Sequence, residues 1–353
     1  MATKETVSYH NARVDKVRDW LTSEEVSFVA FDPVTVQWLT GFTGSNGSIY
    51  LDSENFILFT DNRYRLQAPE QLIENNSSAE CRICLEPFTG IAELNKDQSI
   101  VLDGERVSWA QKKRLSAEVT SKVRDTQTPI RKLRSVKDQL EIERITTAAT
   151  IASEALSETI KTLNESTTEK EMAANLDYKM KLLGASGPAY PPIVASGINS
   201  SYPHAIPTDT VINDNSLLLV DVGAQYKGYR SDMTRTISVG PLSAQENELL
   251  ELVKEAQKLA IREIKPGIEA KHVDLACRNF LHDKGYGDLF IHGTGHGVGL
   301  EIHEFPRINN RSEDVLEEGM VITVEPGVYL QESFGVRWED LLLVTADGVE
   351  FLT

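Results

Sequence analysis

The sequence predicts an α/β domain followed by a larger α+β domain with a mostly antiparallel sheet. Short apolar runs alternate with helix-period stretches through about residue 125. Beyond a proline-marked basic segment, long amphipathic helices alternate with paired strand-like runs. The 353 residues suit about two domains, and a 41% hydrophobic content allows a sizeable core.

The first domain is expected over residues 1–127. Asn11–Leu21 sets Val14, Val17, Arg18 and Leu21 at helical spacing, and Ser27–Phe31 is a short strand ending at Asp32-Pro33. Ser48–Leu51 and Phe56–Thr60 read as a hairpin around Asp52–Asn55, and Ile100–Leu102 as a further strand. The stretch Gly41-Phe-Thr-Gly44-Ser-Asn-Gly47 lacks the P-loop lysine and the dinucleotide spacing, so it reads as a turn-rich loop. Cys81-Arg-Ile-Cys84 has no second pair for a zinc site, and it lies in a strand running into a proline. These are read as packing thiols.

Residues 128–134 are expected to be the linker, with the second domain over 135–353. Ser135-x-x-Asp138 is expected to cap a long helix with a stripe through Leu140, Ile145, Ala148, Ala152, Leu156, Ile160 and Leu163. Thr168-x-x-Glu171 and Ser243-x-x-Glu246 open two more, ending at Gly184 and at Pro266-Gly267. A fourth runs from about Ala270 to Gly285, and strands are expected at 217–222, 229–239, 320–325 and 336–344.

Charge and composition exclude several classes. A formal net charge of -17, from 36 basic and 53 acidic residues, disfavours a nucleic-acid or anionic-membrane partner. No apolar run reaches the roughly 18 residues of a membrane span. Lys4, Glu5 and His10 fall where the apolar part of a secretory signal would be, so a cytoplasmic protein is expected. Three cysteines, an odd number, fit a reducing compartment.

The candidate chemistry lies on two acidic hairpins and a histidine cluster. In Ser216–Arg235, a turn centred between Tyr226 and Lys227 would set Asp221 directly opposite Asp232. Cross-strand neighbours have Cβ atoms roughly 4.5–5.5 Å apart, and two carboxylates that close demand a cation or a raised pKa. Glu325 and Glu339 are related in the same way about a loop at Glu332-Ser333-Phe334. Three of the seven histidines, His292, His296 and His303, fall within twelve glycine-rich residues, and His204 stands in Tyr202-Pro-His-Ala-Ile-Pro-Thr208. Four carboxylates with one imidazole suit a pair of hard or borderline divalent ions, manganese first, with cobalt, zinc or iron also fitting. Two such ions roughly 3.5–4 Å apart can activate a shared water. The plain alternative is four unrelated acids on exposed strand faces.

Asp221-Val-Gly-Ala-x-Tyr-x-Gly-Tyr-x-Ser-Asp232-Met-Thr-Arg-Thr, His292-Gly-Thr-Gly-His296-Gly-Val-Gly, Glu325-Pro-Gly-Val-Tyr and Gly335-Val-Arg-Trp-Glu339-Asp together resemble the proline-specific metallopeptidases. That family comprises Xaa-Pro aminopeptidase and Xaa-Pro dipeptidase (prolidase), and shares the pita-bread fold with methionine aminopeptidase and creatinase. Leu39–Ser45 and Thr60-Asp-Asn-Arg-Tyr64 look like the creatinase-type N-terminal domain. The resemblance implies that Asp221 holds one ion, that Asp232 and Glu339 bridge, and that His296 and Glu325 complete the other. It implies that Glu325 also shuttles a proton, that His204, His292 and His303 line the substrate site, and that Arg337 supports the proline side or a substrate carboxylate. The substrates it implies are peptides with proline second, and the assembly is a homodimer. The Leu39–Ser45 segment leans towards the aminopeptidase. The rival readings are a metal-free creatinase-like hydrolase and a catalytically inactive binding module. Two departures from the family pattern, Tyr190-Pro191-Pro192 and Trp338, leave every ligand in place.

Overall fold

The computed structural model describes residues 8–126, 129–212 and 216–353. The chain divides between Leu133 and Arg134 into two compact units. Of the expected linker, Thr128 lies outside the described residues, and Pro129–Ser135 forms a short helix. No helix among the described residues is long and apolar enough to cross a membrane.

The first unit is built on a six-stranded sheet of β1 (Val26–Ala30), β2 (Gly47–Leu51), β3 (Phe56–Thr60), β4 (Glu80–Ile83), β5 (Ser99–Asp103) and β6 (Val123–Thr126), in the order β4-β3-β2-β1-β5-β6. The β1–β2 and β2–β3 pairs are antiparallel and the others parallel. Strands β1 and β3 are buried at every position, as a sheet covered on both faces requires of its unbroken apolar runs. The expected hairpin forms, with one Asp52 oxygen accepting the N–H groups of Glu54 and Asn55. Of the Gly41–Gly47 stretch, Gly41–Asn46 forms a loop after helix Pro33–Thr40, and Gly47 opens β2. Burial, more than any neighbouring charge, raises the Cys81 and Cys84 thiols above their usual range, in keeping with packing thiols.

The second unit repeats one construction. Its first half holds β7 (Gly187–Pro188), β8 (Ile193–Ser196), β9 (Ser216–Asp221), β10 (Ala224–Tyr226), β11 (Tyr229–Arg230) and β12 (Thr234–Val239). Its second half holds β13 (Gly295–Gly297), β14 (Glu304–Ile308), β15 (Val321–Val324), β16 (Gly327–Leu330), β17 (Phe334–Arg337), β18 (Asp340–Thr345) and β19 (Gly348–Phe351). All strand pairs described in this unit are antiparallel. Helices Gln139–Ile160 and Glu169–Leu182 pack Ala152, Leu156, Leu176 and Met180 around Leu218 and Val220 of β9. Helices Ala244–Arg262 and Ala270–Asp283 pack Val253, Ala260, Val273 and Cys277 around Ile322 and Leu342.

The capping boxes at Thr168–Glu171 and Ser243–Glu246 form as expected. The one expected from Ser135 does not. Asp138 is itself the cap and Glu141 the returning partner, so the first long helix starts at Gln139. Aspartate accepts from the third-residue N–H as well as serine does, and the chain ahead is already committed to Pro129–Ser135.

Hairpin register also departs from expectation. The two-residue turn is Lys227-Gly228, with φ of 48° and 88°. Tyr226 therefore faces Tyr229, and Asp221 faces Thr234 rather than Asp232. A turn of this kind needs two positive φ angles. Glycine accepts one at no steric cost, whereas the earlier turn would have forced one onto Tyr226. The same register sets Asp232 against Gly223, in a break where β9 gives way to β10 and β11 to β12. The bonds Val222 N–H to Met233 O (2.9 Å) and Ser231 N–H to Ala224 O (3.0 Å) bracket that break. The second hairpin is broken in the same way. Val324 faces Asp340 and Gly327 faces Arg337, so Glu325 and Glu339 fall opposite each other, as expected.

A Cβ on Gly223 would lie 2.0 Å from the Ser231 carbonyl oxygen, which is backbone and cannot swing aside. Gly223→Ala is therefore expected to cost about 1–3 kcal/mol, as overpacking does. Thermal unfolding checks this, and an unchanged Tm would contradict the tight break.

Candidate metal and catalytic site

The two broken hairpins meet at one seam. The Glu339 N–H donates to the Thr234 carbonyl at 3.1 Å, and the Thr234 hydroxyl donates to Glu339 Oε2 at 2.7 Å. Beside the seam opens a cleft of about 510 Å³. Asp221, Asp232, Glu325, Glu339, His204, His292, His296, His303 and Arg337 all line it. The four hairpin acids, spread from Asp221 to Glu339 in sequence, thus reach one place because both strand pairs break at the same level.

Asp232, His296 and Glu339 form the tightest group. Each offers a ligand atom, and these atoms lie within 4.8 Å of one another. His296 Nε2 is 3.6 Å from Asp232 Oδ2 and 3.3 Å from Glu325 Oε1. His296 Nδ1 lies 3.1 Å from the Gly297 carbonyl, which can only accept, so Nδ1 keeps a proton and Nε2 faces the acids. Cβ atoms on Gly295 and Gly297 would lie 2.0 Å and 2.1 Å from the Thr323 and Phe305 carbonyl oxygens. Only glycine lets the neighbouring backbone press this close and fix the ring.

Asp221 is held differently. Arg337 Nη2 donates to it at 2.6 Å, and the Tyr190 hydroxyl contacts both Asp221 and Asp232. Arg337 is buried, and its other N–H groups reach the Thr234 hydroxyl (3.0 Å), the Pro203 carbonyl (3.1 Å) and the Tyr329 hydroxyl (2.7 Å). The Tyr329 hydroxyl is 3.0 Å from His292 Nε2, and His292 Nδ1 is 2.7 Å from the Gly293 carbonyl. Since Nδ1 holds the proton, Nε2 accepts from Tyr329. His303 stands edge-on to His296, with ring centroids 4.4 Å apart. His204 is exposed on the cleft wall.

Burial raises the Asp232 carboxyl well above the usual range, and the charges of Asp221 and Glu325 add to this. Glu339 is raised by burial and then by Asp232. Burial would also raise Glu325, but the hydrogen bond and charge of His296 outweigh it and hold Glu325 low. His303 is pushed down by burial and by His296. Buried acids that raise one another relax when a cation takes their place as counter-charge. The donor set, carboxylates with one imidazole nitrogen, matches hard or borderline divalent ions. The residues therefore fit a metal centre.

Four supporting residues escaped the sequence reading. Tyr190 was visible only as an unusual aromatic before Pro191-Pro192, and Tyr329 only as the end of Glu325-Pro-Gly-Val-Tyr. Asp274 and Arg278 lie four apart on helix Ala270–Asp283. Asp274 accepts from Arg278 at 2.7 and 2.9 Å and from the Thr294 hydroxyl at 2.8 Å. Arg278 also donates to the Phe290 and His292 carbonyls at 2.9 and 2.7 Å. The spacing predicts a helix-surface pair, and nothing in it foretells a clamp on the histidine loop.

The comparisons agree with this geometry. Residues 143–346 match the family described as "Metallopeptidase family M24", and residues 13–136 match the "Creatinase/Prolidase N-terminal domain". The chain is 37% identical to the Xaa-Pro dipeptidase of Pyrococcus horikoshii over 356 residues, covering 97% of each protein. A solved Xaa-Pro dipeptidase from Bacillus anthracis superposes with a TM-score of 0.92 at 32% identity, covering 98% of this chain and 97% of that one. An X-Pro aminopeptidase from Thermotoga maritima superposes with a TM-score of 0.87 at 35% identity, covering 94% of this chain and 97% of that one. The second unit accordingly has the pita-bread architecture, and the chain belongs to metallopeptidase family M24, with an N-terminal domain of the creatinase/prolidase type.

Proposed function

We propose that this chain is a dinuclear-metal peptidase that hydrolyses the bond between an N-terminal residue and a following proline. The observation that carries the reading is the convergence of Asp232, His296 and Glu339, with Asp221 and Glu325 beside them, in one cleft. Asp221, Asp232, His296, Glu325 and Glu339 would hold two divalent ions, manganese being the first choice. Bound there, the ions would lower the pKa of the attacking water and polarise the scissile carbonyl.

The remaining work falls to side chains. An Xaa-Pro bond is a tertiary amide, so its departing nitrogen must receive a proton. Glu325 takes the proton from the water and delivers it to that nitrogen. His303, pushed towards the neutral form by burial, donates a hydrogen bond to the carbonyl oxygen as charge develops on it. His292, fixed by Gly293 and Tyr329, and His204 flank the substrate. Tyr190, Ile193, Pro203, Ala205 and Ile302 give the proline ring an apolar lining. Arg337 supports the proline side through Pro203 and Tyr329, since four of its five N–H donors are engaged by the protein's own groups.

On subtype, the names of the relatives move the balance from the aminopeptidase to the dipeptidase. A homodimer in a cytoplasmic setting completes the reading, and three free cysteines support the reducing compartment.

Three measurements test this. Calorimetry should find two divalent ions per chain, and adding them to metal-free protein should raise Tm, because they bind only the folded state. A folded preparation that binds none would favour the metal-free or inactive readings. Glu325→Gln should lower kcat by about 10²–10⁴-fold, the usual share of a general acid–base group, with circular dichroism unchanged. Near-normal turnover would remove Glu325 as the shuttle. With Mn²⁺, Co²⁺ or Zn²⁺ present, Xaa-Pro should be cleaved faster than Xaa-Pro-Yaa, and the reverse preference would assign the aminopeptidase.

A further inference from the structure

Helix Glu169–Leu182 opens with a carboxylate that the chemistry above does not use. Glu169 is fully buried, at 0% exposure. Its Oε1 accepts the Ser196 N–H at 2.7 Å and the Ser196 hydroxyl at 2.9 Å. Its Oε2 accepts the Asn199 side-chain amide at 2.8 Å, the Thr208 N–H at 2.9 Å and the Thr208 hydroxyl at 2.7 Å. These donors come from the two ends of one segment. The helix backbone adds bonds from Glu169 N–H to Thr210 O and from Lys170 N–H to Thr208 O, both 3.1 Å.

Residues 197–207 lie between those ends. Their regular structure is a 3-10 turn at Gly197–Ser201. Pro203, His204, Ala205 and Ile206 form one wall of the cleft, while Ile198, Tyr202 and Ile206 are exposed. Two further ties hold the middle of the loop, Gly335 N–H to the Ser200 hydroxyl (2.9 Å) and Arg337 to the Pro203 carbonyl (3.1 Å). A loop with so little secondary structure, and with exposed apolar groups, takes its shape from its anchors. The strongest anchor closes both ends at once.

We propose that Glu169 is a positioning residue for the substrate-binding wall. By clasping Ser196, Asn199 and Thr208 it sets Pro203–Ile206 against the cleft, and so governs substrate binding more than the chemical step. This rests on reading the cleft as a peptidase site. Both carboxylate oxygens only accept, and the two backbone N–H partners only donate. An amide of the same shape cannot match them, because its NH₂ group must face one of those N–H donors.

Glu169→Gln in the metal-loaded full-length protein tests this, with Thr208→Val as the milder variant that removes one donor. For an Xaa-Pro dipeptide, KM should rise roughly ten-fold in Glu169→Gln, as loss of a charge-assisted hydrogen bond predicts, while kcat falls less. Thr208→Val should shift KM the same way by a smaller factor. Hydrogen exchange should speed up across residues 197–208 and stay unchanged across 216–239 and 320–345. An unchanged KM with a protected loop, a fall in kcat at constant KM, or faster exchange throughout the unit would each overturn the proposal. If Glu169→Gln does not fold, Thr208→Val decides by the same criteria. If the wild type cleaves no Xaa-Pro peptide, the peptidase reading fails, while loop exchange still judges the clasp.

Discussion

Four carboxylates gathered in one cleft, Asp232 and Glu339 buried and Asp221 and Glu325 half-buried, are the constraint on which the rest of the second unit depends. Left to themselves, Asp221, Asp232, Glu325 and Glu339 would repel one another and seek water. The fold answers with the few positive or donating groups within reach. Arg337 pairs with Asp221, His296 pairs with Glu325, Thr234 donates to Glu339, and Tyr190 contacts Asp221 and Asp232. What these partners leave unbalanced still shows in the Asp232 and Glu339 carboxyls, which burial and then neighbouring charge push well above the usual range. That imbalance is a stored preference for cations.

The acids reach this arrangement by one device used twice. Each hairpin is interrupted at the level where its acids sit, so the strand ladder gives way to a short break. Each break frees backbone groups that find partners across the seam, as Glu339 and Thr234 do. The helix pairs behind the sheets supply the apolar burial that keeps the seam closed. Stability and chemistry therefore draw on the same packing, and a change of one methyl group at Gly223 reaches the site through the backbone.

Around the centre, buried charged groups act as anchors for loops that carry histidines. Asp274 and Arg278 hold the His292–Thr294 segment. Arg134 contacts Glu301 and Glu304, beside His303. Glu169 closes the loop that bears His204. In each case a charged group inside the protein is held by several hydrogen bonds, and that set fixes a backbone path that apolar contact alone would leave loose.

Much of this was legible in the sequence. Capping boxes, helical stripes and strand lengths follow from local rules, and they located the helices from Thr168, Ser243 and Ala270. The spacing of Glu325 and Glu339 about Glu332 gave their pairing, because that loop has one reasonable centre. Glycine around His296 announced close backbone approach. The other hairpin shows where local reading stops. Local pattern centres the turn one residue before Lys227-Gly228, and since paired positions sum to twice the turn's centre, that single step moves the partner of Asp221 by two, from Asp232 to Thr234. Sequence alone determined which residue types gather and in what order, since composition and periodicity are properties of the chain. The tertiary structure decided the partners, Tyr190 between two aspartates, Arg337 on Asp221 and Glu169 across its loop. Those contacts join positions far apart in sequence, and only burial with directional hydrogen bonding selects among them.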